Sequence, residues 1–139
     1  MFKRLFYWGL TAGILSAVAS IIYYKIFIFA FTYEGKPDYS KVINIPVLIG
    51  TNIIAGLIAA AGFGTLTHFI KKNGELIFNL IFSIVSFASI LLPISTKLPF
   101  DIQMPELFPL LTVPMHFFPV IAWFTIRPLF AKYLLHTEA

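Results

Sequence analysis

Residues 43–70 read INIPVLIGTNIIAGLIAAAGFGTLTHFI, a stretch without Asp, Glu, Lys or Arg. A helix needs roughly 20 apolar residues to cross a hydrocarbon core about 30 Å thick, because it rises about 1.5 Å per residue. The stretch is long enough, and the polar pair Lys71 and Lys72 follows it directly. It therefore predicts a membrane-spanning helix.

The same pattern occurs three more times, so that the predicted spans are residues 5–31, 43–70, 76–92 and 107–130 of a 139-residue chain. The mean hydropathy is +0.90 and 12% of the residues are charged, which is too little polar surface to solvate a globule of this size. The sequence predicts an all-α membrane protein. We expect a single integral membrane domain over residues 1–139, built as a four-transmembrane-helix bundle and lying multi-pass in the lipid bilayer.

The first span shares features with a secretory leader. Lys3 and Arg4 form a basic start, and Ala17-Val18-Ala19 fits the small-x-small cleavage pattern. However, the apolar run continues to Phe31, well past the length of an ordinary leader. We expect a span that is retained.

The basic residues predict the orientation. Six of them fall at one end of the predicted bundle, namely Lys3, Arg4, Lys71, Lys72, Arg127 and Lys132, against Lys36, Lys41 and Lys97 at the other. The positive-inside bias places both termini in the cytoplasm. The net charge of +4 belongs to span ends and lipid head groups rather than to a nucleic-acid surface, so no nucleic acid is expected as a partner. Interfacial aromatic belts are predicted from Tyr7, Trp8, Tyr33, Tyr39 and Tyr133.

Prolines shape the ends of the spans and interrupt the fourth one. Pro46 suits the first turn of the second helix, and Pro93 is expected to end the third. Inside the fourth span, Pro114 and Pro119 each remove a backbone hydrogen bond and free the carbonyl four residues earlier. We therefore predict a proline-kinked fourth helix.

Small residues recur every fourth position in the first two spans. They are Gly9, Gly13 and Ala17 in the first, and Gly56, Ala60 and Gly64 in the second. Such stripes let helix backbones approach closely, which matters in lipid because hydrophobicity no longer drives helix association. We interpret them as helix-packing faces that meet within one chain. A homodimer interface is the alternative.

Polar side chains inside the spans fall into one layer in the outer half of the predicted bundle. With about 1.5 Å per residue, this layer contains Lys25, Asn52, Ser86, Ser89 and His116. An ionisable residue within a membrane helix, such as His116, is a functional candidate by default. The five could line a ligand-binding pocket. Alternatively, Lys25 extends to the head groups while Asn52 and the serines join helices to one another.

Other chemistry finds little support in the sequence. The chain has no cysteine, which excludes disulfide, thiolate-metal and thiol redox chemistry. His68 lies about 20 Å deeper than His116, so the two cannot ligate one haem. The predicted spans hold no carboxylate for a metal site, and no nucleophile accompanies Asp101 and Glu106. We expect no catalytic residues, no metal and no cofactor, and interpret the protein as more consistent with a non-enzyme.

Three parts of the sequence carry a resemblance: residues 7–16 (YWGLTAGILS), the glycine-rich second span and residues 115–118 (MHFF). In this layout the chain resembles small four-span bacterial inner-membrane proteins of unknown function. The resemblance implies a location in the bacterial inner (plasma) membrane and a four-helix architecture. It transfers no binding or catalytic residue.

The functional hypothesis is a non-enzymatic integral membrane protein that serves as an accessory or structural subunit of a larger membrane assembly. Its expected partners are the lipid bilayer and other membrane-protein subunits, or further copies of itself. The alternative is a binder or carrier of a lipid-like small molecule through the outer-half pocket. A homo-oligomeric pore ranks third, because no span has a polar face along its full length.

Overall fold

The computed structural model describes residues 2–31, 35 and 38–135, and these residues are helical or lie in turns and loops, without a strand. The helices are α1 (Phe2–Ala30), α2 (Ile45–Phe69), α3 (Gly74–Ser89), α4 (Leu91–Ser95), α5 (Phe108–Met115) and α6 (Phe118–Leu135). A short 3₁₀ turn over Pro105–Leu107 precedes α5. Tyr33 and Lys36, which enter the predictions above, lie outside the described residues.

Four helical stretches are long and apolar enough to cross a membrane: Phe2–Ala30, Ile45–Phe69, Gly74–Ser95 and Pro105–Phe130. The fourth span consists of α5 and α6, which are separated by a turn at His116 and Phe117. Pro93 does not end the third span as expected, because it lies within the short helix α4 that extends the span to Ser95. Near the start of a helix proline loses no hydrogen bond, so α4 accommodates it.

The sequence accounts for the start of α2. The Asn44 side chain accepts a hydrogen bond of 3.0 Å from the Val47 backbone N–H, and Pro46 occupies the first turn, as predicted. At the other end, the four residues 70–73 turn the chain directly into α3. The helices α2 and α3 therefore form the antiparallel hairpin that the sequence indicates.

Within the bundle, α1 packs along α2 and α6, while α3 packs on α2 and reaches α6. The start of α1, the 70–73 turn and Arg127 of α6 lie at one end, which we name the basic end. There, Arg127 forms an ion pair with Glu75 at the start of α3. The loops of residues 38–44 and 96–104 meet at the opposite end, which we name the loop end.

Two apolar clusters fill the interior. The cluster at the basic end contains Leu5, Trp8, Ala12, Ala59, Ala60, Phe63, Phe78, Trp123 and Ile126. The cluster at the loop end contains Phe27, Tyr39, Ile43, Leu48, Ile102, Phe108, Leu111 and Met115. Along the helices, the buried polar residues Ser16, Ser20 and Asn52 fall between these clusters. The interior is thus two apolar layers with a polar layer between them.

Candidate functional site

Asn52 of α2 joins α1 and α2 in the polar layer. Its side-chain oxygen accepts a hydrogen bond from the Ser16 hydroxyl, and its amide nitrogen donates to the Ser20 hydroxyl over 3.2 Å and to the Leu48 carbonyl over 2.7 Å. Ser16 and Ser20 are fully buried. Because both amide hydrogens are used within the protein, this group serves to link two helices.

His116 lies in the turn between α5 and α6 and contacts the third span. Its Nδ1 is 2.9 Å from the Ser89 hydroxyl oxygen, and that hydroxyl donates to the Ser86 carbonyl over 2.7 Å. A hydroxyl has one hydrogen, so Ser89 accepts from Nδ1–H, and in a neutral imidazole this leaves Nε2 as an acceptor. The imidazole therefore joins the fourth span to α3.

The structure brings the five predicted ligand-binding residues together only in part. Ser86, Ser89 and His116 form one group, whereas Asn52 belongs to the pair of α1 and α2. Lys25 is exposed on α1. A ligand held by these residues stays a prediction.

Tyr23 is a polar contact that the sequence analysis missed. Its hydroxyl donates a hydrogen bond of 2.9 Å to the Leu110 carbonyl, the group that Pro114 leaves without its helical partner. The free carbonyl was predictable from the proline. Its partner was not, because Tyr23 is 87 residues away and only the packing of α1 on α5 joins the two. The interrupted helix is thus satisfied from a neighbouring span.

The small residues of α1 and α2 lie against each other. A Cβ added at Gly9 would lie 2.6 Å from the Gly56 carbonyl oxygen, and one added at Gly13 would lie 2.7 Å from the Ile53 Cα. A Cβ at Gly64 would meet the end of the Leu5 side chain at 2.8 Å. Two helix backbones therefore approach so closely at Gly9, Gly13 and Gly56 that a side chain has no room. Ala17 and Ala60 are buried close by.

Two predicted belt residues are core residues instead. Trp8 is 2% exposed and stacks on Trp123 of α6 with ring centroids 4.3 Å apart, while Phe63 of α2 packs beside both rings. Tyr39 is fully buried in the loop-end cluster. The belt prediction was therefore wrong for Trp8 and Tyr39, because their rings pack within the protein and not on its outer surface. Tyr7 is exposed at the basic end.

Contacts between the two loops close the loop end. The buried Tyr39 hydroxyl donates to the Met104 carbonyl over 2.6 Å, and Lys41 forms an ion pair with Asp101. Burial raises the pKa of Tyr39, and the negative charge of Glu106 adds to this effect. The hydrogen bond between the charged pair lowers the pKa of Asp101 and raises the pKa of Lys41.

A groove of about 550 Å³ opens at the basic end between the first turns of α1 and the last turns of α2. Its floor contains the small residues Ala60, Ala61 and Gly64, and Phe2, Phe6 and Phe69 stand along it. Thr65 and His68 are the polar residues of its lining. None of the five predicted ligand-binding residues belongs to this lining, so the groove is a separate feature of the molecule.

The described residues contain no group of three or more His, Cys, Asp or Glu side chains that could hold a metal ion. The imidazole Nε2 of His116 is the acceptor left over in its group, and Ser89 already uses its only hydrogen. The hydrogen bonds of Asn52 and His116 each join two spans of the bundle.

The fold and these interhelical links define the class of protein: an all-helical chain with four helices that are long and apolar enough to span a membrane, as expected of a multi-pass membrane protein. Comparison of the chain with family models, curated proteins and solved structures finds no match.

Proposed function

We propose that the protein is a non-enzymatic accessory or structural subunit of a larger membrane assembly, and that it docks on a partner helix through its third span. The observation that supports this is the bare surface of that span. In the most apolar window of Gly74–Ser95, 17% of the residues are buried, against 28–39% in the other three spans. The third span thus leaves the largest share of its side chains to neighbours outside the chain.

The exposed face of the third span has the repeat of a helix-pairing seam. Large exposed side chains recur at Leu80, Ile84, Phe87, Leu91 and Ile94, with alternating spacings of four and three residues. A mean spacing of 3.5 residues keeps a seam facing a partner helix, and left-handed packing of this kind is common in membranes. The seam fits a single transmembrane helix of another subunit.

The short turn at the basic end also supports docking within the membrane. Four residues, 70–73, connect α2 and α3 at the basic end, which leaves little polar surface there for a soluble partner. Contacts with other proteins must then form mainly within the membrane, where the third span is most accessible.

We further propose that both termini lie in the cytoplasm of a bacterial inner membrane and that the prolines kink the fourth span. The distribution of Lys and Arg supports the orientation. The turn at His116 and Phe117, between Pro114 and Pro119, supports the kink.

The test is site-specific photo-cross-linking in native membranes. A photoreactive residue at position 80, 84 or 87 should yield one discrete protein adduct. The same residue at Ile22, an exposed position of α1, should yield lipid adducts only. The double change Leu80→Ala and Ile84→Ala should reduce recovery of the adduct partner at least about tenfold, and the control Ile22→Ala should leave it unchanged.

Two outcomes contradict the proposal. Lipid adducts alone at positions 80, 84 and 87 would show that the seam faces the bilayer. An adduct formed with a second copy of this chain would show self-association instead of docking on another subunit.

A further inference from the structure

We propose that the groove at the basic end binds one anionic phospholipid, with an acyl chain along the groove and the phosphate at the basic residues beside its mouth. The site lies on α1 and α2, away from the third span, so it does not depend on the proposed accessory function.

The length of the groove matches one leaflet. From Phe69 at the mouth to Leu57, the lining of α2 covers twelve residue steps, or about 18 Å along the helix axis. Half of a hydrocarbon core is about 15 Å. An acyl chain entering from the basic end therefore fits the groove lengthwise, whereas a transmembrane helix would require contact along the whole bundle.

The volume of the groove, about 550 Å³, lies in the range of ordinary ligand sites, about 300–1,000 Å³.

The lining has the chemistry of an acyl-chain site. Its walls are aromatic and aliphatic, and the hydroxyl of Thr65 is already bonded to the Ala61 carbonyl over 2.9 Å. Among the residues that the structure describes, those that line the groove include no acid. A fatty chain thus meets apolar atoms along the groove, and the Thr65 hydroxyl keeps its hydrogen bond to Ala61.

The positive charge at the mouth of the groove favours an anionic lipid head group. His68 belongs to the lining near the mouth, Lys71 and Lys72 follow Phe69, and Lys3 follows Phe2. The lysines are exposed, and Glu75, the acidic residue that the structure describes at this end, is paired with Arg127. Cationic and imidazole N–H groups around the mouth complement a phosphate, and each basic residue near an anionic lipid surface contributes about fivefold in affinity.

The experiment uses the full chain purified in mild detergent. Native mass spectrometry measures binding of phosphatidylglycerol and of phosphatidylcholine with the same acyl chains. The wild-type protein should retain one phosphatidylglycerol and prefer it over phosphatidylcholine at least about fivefold. Equal binding of the two lipids would overturn the head-group assignment.

Two variants test the site for the acyl chain and the site for the head group independently. Ala61→Leu fills the groove and should reduce binding of both lipids about tenfold, whereas Ala88→Leu, at an exposed position of α3, should not. The double change Lys71→Gln and Lys72→Gln should remove the preference for phosphatidylglycerol, and the control Lys97→Gln should keep it. Unchanged binding by the Ala61→Leu variant would exclude the groove as the site.

Wild-type protein provides a second readout that needs no variant. Phosphatidylglycerol with a photoreactive acyl chain should label peptides from residues 2–6 and 57–69. Labelling spread evenly over all four spans would overturn the proposal, as would a dimer of the chain that excludes the lipid from this groove.

Discussion

At the scale of single residues, Asn52 has the largest number of side-chain hydrogen bonds in the polar layer. It holds Ser16 and Ser20 of α1 and the Leu48 carbonyl of its own helix. Hydrogen bonds between membrane helices contribute about 0.6 kcal/mol on average and up to about 1.7 kcal/mol. Asn52 therefore stabilises the pairing of α1 with α2.

The change Asn52→Leu should lower the free energy of unfolding by about 1 kcal/mol, because it leaves two buried hydroxyls without their partner. Reversible unfolding in mixed micelles measures this. Thr51→Val is the matched control, since Thr51 is exposed and its hydroxyl donates to the Val47 and Leu48 carbonyls of its own helix. Equal losses in the two variants would contradict the linking role.

The ion pair of Lys41 and Asp101 makes the stability of the folded protein depend on pH, and the directions of the two pKa shifts fix the sign of this dependence. The lowered pKa of Asp101 adds stability above the unfolded value near 4, and this stability is lost as the pH falls through the folded value. The raised pKa of Lys41 adds stability below the unfolded value near 10.4, and it is lost as the pH rises through the folded value. The pair thus contributes between about pH 4 and pH 10.4.

We expect Lys41→Gln to raise the pKa of Asp101 toward about 3.9, as followed by carboxyl NMR titration. Overall stability should change little, because both side chains are more than half exposed to solvent. Lys97→Gln should leave the Asp101 titration where it was. An unaltered titration in the Lys41→Gln variant would argue against the ion pair.

At the scale of elements, the glycines of α2 differ in how closely α1 packs against them, and the sequence pattern alone does not predict this difference. A Cβ on Gly56 would lie 2.8 Å from the Gly13 backbone nitrogen, whereas a Cβ on Gly50 would have no neighbour within 4 Å. Backbone cannot move aside as a flexible side chain can. The cost of adding a methyl group should therefore differ sharply between two positions of the same helix.

Gly56→Ala should destabilise the bundle by about 1–3 kcal/mol, the usual cost of overpacking. Gly50→Ala should be neutral or stabilising by up to about 1 kcal/mol, because alanine is the better helix former. Gly64→Ala should fall between them, since the added atom meets only the end of Leu5. Thermal unfolding in one detergent compares all three, and similar stabilities for Gly56→Ala and Gly50→Ala would refute the close contact.

At the scale of the whole molecule, orientation depends on charge. Among the described residues, the basic end carries the cations Lys3, Arg4, Lys71, Lys72 and Arg127 with the single acid Glu75, and the loop end carries the cations Lys41 and Lys97 with the acids Asp38, Asp101 and Glu106. This asymmetry predicts that the basic end faces the cytoplasm.

Reporter fusions test that prediction. Fusions after Lys72 and after the last residue should be active as cytoplasmic reporters, and a fusion near Lys36 should be active only as an external reporter. A cytoplasmic signal near Lys36 would reverse the orientation.

The sequence by itself determined the four spans, because the length and hydropathy that a helix needs to span a bilayer are local properties of the sequence. It also determined the first turn of α2, where Asn44 and Pro46 act within one turn. Likewise, Pro114 alone predicts an unpaired carbonyl at Leu110.

Only the tertiary structure decided which faces meet. The stacking of Trp8 on Trp123, the bond from Tyr23 to Leu110, and the separation of Asn52 from His116 depend on the rotation of each helix about its axis. Residues at equal depth can face any direction around a helix, and nearly uniform apolarity leaves no polar face to fix that direction in the sequence. For the same reason, the groove could not be predicted from the sequence, because it exists only where the small residues of α2 meet the first turns of α1.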